Sequence, residues 1–103
     1  MLESKYQASL IKKLERMFPG CEVQINDPTR TQGIPDLTIL YNDKWAMLEV
    51  KKSAKEPNRP NQPYWVEHYN KMSFAAFIYP ENEEQVLNEL QRSLGSTRQA
   101  RVS

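Results

Sequence analysis

Asp36, Glu49 and Lys51 are the side chains of this chain whose types and spacing could do chemistry together. They lie in GIPDLTILYNDKWAMLEVKK, residues 33–52, a stretch that reads as a β-hairpin. Asp36 opens the first strand, and Glu49 and Lys51 close the second. Close carboxylates are costly to keep ionised unless a cation lies between them. A divalent ion supplies that cation and prefers carboxylate, carbonyl and water oxygens. The backbone carbonyl of Val50, between Glu49 and Lys51, is a natural third ligand. Such an ion lowers the pKa of a bound water and neutralises phosphate charge. Lys51 on the same face would orient or deprotonate the attacking water, or stabilise the transition state. The chemistry expected is metal-dependent hydrolysis of a phosphodiester. The competing reading is a set of cross-strand ion pairs, which are common and weak.

Strand parity decides which of these side chains meet. Successive residues of a strand alternate between faces, so Trp45, Met47, Glu49 and Lys51 share one face. Ala46, Leu48 and Val50 share the other. A two-residue loop at Asn42-Asp43 pairs Tyr41 with Lys44 and puts Asp36 opposite Glu49, on the same face. A loop at Asp43-Lys44 puts Asp36 opposite Lys51, again on that face. A three-residue loop puts it opposite Val50, on the wrong side unless a bulge corrects it. Asn and Asp tolerate the positive φ of a tight turn, which makes a two-residue loop reasonable.

The elements around the hairpin follow from periodicity. Residues 2–18 form a helix, with Tyr6, Leu10, Leu14, Met17 and Phe18 at helical spacing and Pro19-Gly20 as the stop. Glu3 lies on the side of Gln7, Leu10 and Leu14. It either points towards the core side or is a first-turn acid that favours the helix dipole. Residues 21–26 alternate as a short strand, with Cys21, Val23 and Ile25 on one face. The loop DPTRTQG then brings Arg30, Thr31 and Gly33, residues that often contact phosphate and are also ordinary in surface loops. Residues 53–63 hold three prolines and form a loop beside the site. A helix begins between Gln62 and Tyr64, with Pro63 in its first turn and Trp65, Tyr69, Met72 and Val66 on its apolar side. FAAFIY, residues 74–79, is a buried strand. Residues 81–94 make an amphipathic helix capped by Gly95, and 96–103 are expected to be a disordered tail. One domain over residues 1–95 is expected, with element order α-β-β-β-α-β-α and a parallel crossover onto a mixed sheet.

Composition narrows the chemistry. The chain has 103 residues, 39% of them hydrophobic and 26% charged, which suits one small domain with a modest core. No apolar run is long enough to span a bilayer, so no membrane partner is expected. Cys21 is the only cysteine and His68 the only histidine, so a metal site must rely on oxygen ligands. That favours Mg²⁺ or Mn²⁺ over Zn²⁺, and an intracellular setting. Net charge is +1, but Lys44, Lys51, Lys52, Lys55 and Arg59 crowd one segment while residues 81–89 are acidic. One basic face near an acidic site fits a nucleic-acid partner.

Pro35-Asp36 followed by Glu49-Val50-Lys51 resembles the PD-(D/E)XK nuclease signature. With Gly33-Ile34-Pro35-Asp36-Leu37 before it, and Gln62 and Trp65 opening the next helix, the set is similar to the VRR-Nuc branch. Those are compact enzymes related to Holliday-junction resolvases. The resemblance implies a restriction-endonuclease-like αβββαβ core, here in the α/β class with a C-terminal helix added. It implies Asp36 and Glu49 as metal ligands, the Val50 carbonyl beside them and Lys51 as the catalytic lysine. Gln62 would contact the scissile phosphate or water. Glu3 matches an acid of the first helix that joins the metal site in this family. Arg30, Thr31, Gly33, Lys52, Lys55 and Arg59 would line the nucleic acid. The expected activity is Mg²⁺- or Mn²⁺-dependent endonucleolytic cleavage of DNA, branched DNA such as Holliday junctions or flaps, by a homodimer in a bacterial or phage-infected cell. The alternative is a non-catalytic nucleic-acid-binding module that kept the fold.

Overall fold

The computed structural model describes residues 2–95, and the tail expected over 96–103 lies outside them. Apolar residues at three- and four-residue spacing fold the first segment into α1, Glu3–Met17, which buries Tyr6, Leu10 and Leu14. Phe18 follows, 1% exposed, and Gly20 takes the positive φ that reverses the chain. Strands β1 (Glu22–Ile25), β2 (Leu37–Tyr41) and β3 (Lys44–Val50) come next. Then α2 (Gln62–Met72), β4 (Phe74–Ile78) and α3 (Glu83–Leu94) complete the order α-β-β-β-α-β-α.

The four strands form one sheet in the order β1-β2-β3-β4. β1 and β2, and β2 and β3, pair antiparallel, while β3 and β4 pair parallel. A parallel pair needs a crossover, and α2 provides it. The fold is therefore α/β with a mixed sheet. The β2–β3 turn is Asn42-Asp43, because Tyr41 pairs with Lys44. Asn42 takes φ 57°, the left-handed region that Asn tolerates.

Parity then sorts the sheet into two faces. Leu37, Ile39, Ala46, Leu48, Val50, Phe74 and Ile78 meet α1 and α3 in the main core. Met47 and Ala75 meet Val66 of α2 on the opposite face, with Trp45, Tyr69 and Phe77 around them. Two side chains depart from the expected pattern. Ile25 is 65% exposed, as the last residue of an edge strand with a neighbour on one side only. Met72, at the last turn of α2, is 63% exposed.

Side-chain amides cap the outer edge of β4 at two points. Asn70 Oδ1 accepts from the Ala75 N–H at 3.1 Å, and Asn82 Nδ2 donates to the Phe77 carbonyl at 3.1 Å. Such capping blunts an apolar edge that would otherwise offer unpaired backbone groups to another strand.

Candidate active site

The β2–β3 pairing ends at Leu37↔Leu48, so Asp36 lies one residue past it, opposite Glu49. The next position on the first strand is Pro35, which has no N–H for the ladder. Val50 turns its backbone groups towards that gap, and its N–H donates to Asp36 Oδ2 at 3.0 Å. The proline thus ends the ladder where the carboxylate begins, and leaves the Val50 carbonyl no partner N–H from position 35. Asn26 holds this corner from the β1 side. Its N–H donates to the Asp36 carbonyl at 2.8 Å, and its Nδ2 donates to the Pro35 carbonyl at 2.9 Å and Thr38 Oγ1 at 2.8 Å. Nothing in the sequence beyond the end of an alternating run marks Asn26.

Three polar side chains are buried in the described chain: Glu49 at 2% exposed, Lys51 at 5% and Gln62 at 7%. They are joined. Gln62 Nε2 donates to Glu49 Oε2 at 2.6 Å, and Lys51 Nζ donates to Gln62 Oε1 at 2.6 Å. The Arg59 N–H also donates to Gln62 Oε1, at 2.7 Å, so the amide oxygen faces two donors and its nitrogen faces the carboxylate. That network admits one orientation of the amide. Lys51 Nζ also donates to the Pro57 carbonyl at 3.2 Å. Burying a cation and an anion without such partners would be strongly unfavourable. Gln62 is the first residue of α2, and the left-handed Asn61 (φ 70°) swings the helix start over the site.

Glu49 Oε1 is buried and has no hydrogen-bond partner among the described residues. Burial, then the charge of Asp36, pushes the Glu49 carboxyl up to about 8, with Lys51 and the Asp36 N–H pulling the other way. Asp36 is also raised, chiefly by burial, against the Val50 N–H, Lys51 and Arg59. Glu3, half-buried at the start of α1, is raised by burial and then by Asp36. The three acids therefore share one field. They do not form a cage: among the described residues no three His, Cys, Asp or Glu side chains are gathered to hold a metal ion. The donors that suit a divalent cation are Asp36, the orphaned Glu49 Oε1 and the Val50 carbonyl, an all-oxygen set. Glu3 adds negative charge beside them.

The other expected residues lie around this centre in different ways. A cleft of about 190 Å³ is lined by Gly33, Asp36, Arg59 and Gln62, among others, and a second of about 210 Å³ by Lys51, Glu56, Asn58 and Phe77. Gly33 has φ 88°, and a Cβ there would stand 2.8 Å from Asn61 Cβ. Its smallness is thus accounted for by packing against the lead into α2. Arg30, Lys52, Lys55 and Arg59 are exposed and Thr31 is half-buried; Lys52 pairs with Glu56 at 3.7 Å. Only Arg59 of these acts electrically on both Glu3 and Asp36. A further cleft of about 630 Å³ between α1 and α3 contains none of these residues. No helix among the described residues is long and apolar enough to cross a membrane. The chain matches no protein-family model, no curated protein and no solved structure.

Proposed function

We propose that this protein is a divalent-metal-dependent endonuclease that hydrolyses DNA phosphodiesters, with a restriction-endonuclease-like core and a preference for branched DNA. The observation that carries the reading is the buried Glu49–Gln62–Lys51 chain with Glu49 Oε1 left unpartnered next to Asp36. A fold does not bury an acid, raise it to about 8 and leave one oxygen empty for stability's sake. Perturbed acids in a cleft are a mark of functional sites.

In this reading Asp36, Glu49 and the Val50 carbonyl hold Mg²⁺ or Mn²⁺, and Glu3 adds to the field that attracts it. When bound, the ion supplies Lewis-acid activation of water and charge neutralisation at the phosphate. The rest is the work of the chain's own groups. Lys51 places a positive charge beside the scissile phosphate, where charge develops in the transition state. Gln62 fixes the Lys51 ammonium and Glu49 relative to one another. Arg59 offsets the negative potential on the Asp36 side, and Arg30, Thr31, Gly33, Lys52 and Lys55 lie along the path of the strand. The site is small, so a homodimer would give a branched substrate the two active sites that paired cuts need. An intracellular setting accompanies a DNA substrate.

The test is a panel of branched, flapped, single-stranded and linear duplex DNA, with Mg²⁺ and with chelator. Cleavage of branched forms in Mg²⁺ only is expected. Cleavage that persists in chelator would overturn the metal role. Tight binding with no cleavage of any form would instead favour a non-catalytic nucleic-acid-binding module.

A further inference from the structure

The inward face of α1 belongs to the core, but its outward face carries a pattern that the site does not use. Lys5, Ala8, Ser9, Lys12 and Arg16 line one shallow trough of about 410 Å³. Their spacing of three and four residues places them in one row along the helix. All five are exposed. Among the described residues, Lys5, Lys12 and Arg16 are in no ion pair. Their neighbour Lys13, by contrast, is tied to Glu83 of α3. The acid nearest the row is Glu15, exposed on its flank three residues after Lys12, while Glu3 turns towards Asp36 and Lys51. Three unpaired cations in a row are notable in a chain whose net charge is only +1.

The small side chains matter as much as the charges. Ala8 and Ser9 sit between Lys5 and Lys12, so the row is a trough and not a ridge. A strand of linked phosphates could lie along it and meet the cations one after another. Eleven residues of helix separate Lys5 from Arg16, a rise of about 16 Å. Lys12 and Arg16 are about 6 Å apart along the axis, close to the spacing of neighbouring phosphates.

We propose that the outer face of α1 is a phosphate track for nucleic acid, a second contact on the side of the sheet away from the buried Glu49–Gln62–Lys51 chain. This deepens the nuclease reading and rests on it for the identity of the polyanion. A track on the α1 side of the sheet and Lys52, Lys55 and Arg59 on the loop before α2 make two separate basic surfaces, which suits a substrate with two diverging arms. A straight duplex would engage one or the other.

The test is binding of labelled branched and linear duplex DNA in chelator, over about 50 to 200 mM salt, by the full chain and by Lys5→Ala/Lys12→Ala/Arg16→Ala. Each lost phosphate contact makes the log–log salt dependence shallower by about 0.9, so the triple variant should lose about 2.7 of slope on branched DNA. Across that salt range its affinity should change about 40-fold less than that of the parent. All three residues are exposed, so thermal unfolding should be unchanged; Lys71→Ala, exposed in the last turn of α2, should leave the slope as it was. An unchanged slope in the triple variant overturns the track. So does loss of binding to anionic phosphatidylserine vesicles with DNA binding intact, which would make the face a membrane contact. Because nothing is cleaved in chelator, the outcome is independent of catalysis. A slope lost in a chain that never cuts DNA would sink the nuclease reading and keep the track.

Discussion

Glu49 concentrates the physics of the site. Its carboxyl lies near 8 because burial and Asp36 both oppose its charge. The unfolded chain would release that proton near the ordinary value of 4.5. Between those values the folded state therefore binds more protons than the unfolded one, and stability falls as pH rises. Asp36 and Glu3 are shifted in the same direction and add to the fall. Metal-free protein should lose on the order of a few kcal/mol between about pH 5 and pH 8, and level off above that. Glu49→Gln should remove most of that slope, leaving the variant more stable than the parent at pH 8. Chemical denaturation in chelator across this range checks it, and a stability that rises with pH would contradict the buried-acid account. Gln62 tests the link between the charges. Gln62→Leu keeps the bulk but leaves Glu49 Oε2 and one Lys51 bond unmade, which should cost about 1–3 kcal/mol. Cleavage should drop through kcat more than through KM, since the lysine loses its fixed position. Kinetics that move only KM would make Gln62 a substrate contact alone.

At the scale of elements, the site depends on where three of them end. β2 begins just after Pro35-Asp36, β3 ends at Val50 with the Lys51 N–H still bonded to the Ile78 carbonyl, and α2 begins at Gln62. Gly33 is the joint between the first and the third. Gly33→Ala would require both a strained φ of 88° and a move of Asn61, whose Cβ stands 2.8 Å from the new methyl. A loss of about 1–3 kcal/mol is expected, read as a lower melting temperature. Cleavage should fall with it, because Asn61 sets the direction of Gln62. A variant that keeps both would show that the lead into α2 is free to shift. Much of this arrangement was legible in the sequence. The period of two from Leu37 to Val50 assigned the faces; a two-residue loop at Asn42-Asp43 or at Asp43-Lys44 put Asp36 on the Glu49 face, and the pairing of Tyr41 with Lys44 selects the first. A helix start between Gln62 and Tyr64 followed from Pro63 and the loop before it, and α2 begins at Gln62. The bridge itself was not legible. That Gln62 would join Lys51 to Glu49 depends on how far α2 swings over the sheet, which is tertiary packing. Asn26, Asn70 and Asn82 were hidden for the same reason: an Asn in a loop or at a helix end has no pattern until its backbone partner is in place.

On the scale of the whole molecule, one sheet separates two kinds of surface. The α1–α3 side holds the larger core and, on its outside, the basic row from Lys5 to Arg16. The α2 side carries the buried charges and a half-covered set of rings, with Tyr64 and Met72 exposed. Exposed apolar groups of this kind suit a second protomer. A dimer mass at micromolar concentration, by analytical ultracentrifugation, is the expected result; a monomer both with and without DNA would contradict it. Since Asn70 and Asn82 occupy the β4 edge, a dimer should not join sheets through that strand. The account as a whole stands on the divalent cation that Asp36 and Glu49 would hold for Lys51 to act beside. The measurement that bears on it most directly is the single-turnover rate of branched-DNA cleavage as Mg²⁺ is titrated, for the parent and for Glu49→Gln. The parent should show a saturable Mg²⁺ dependence, and Glu49→Gln should be slower by about 10²-fold or more with a folded, DNA-binding protein. Equal rates in the two proteins, or a parent rate indifferent to Mg²⁺, would contradict it.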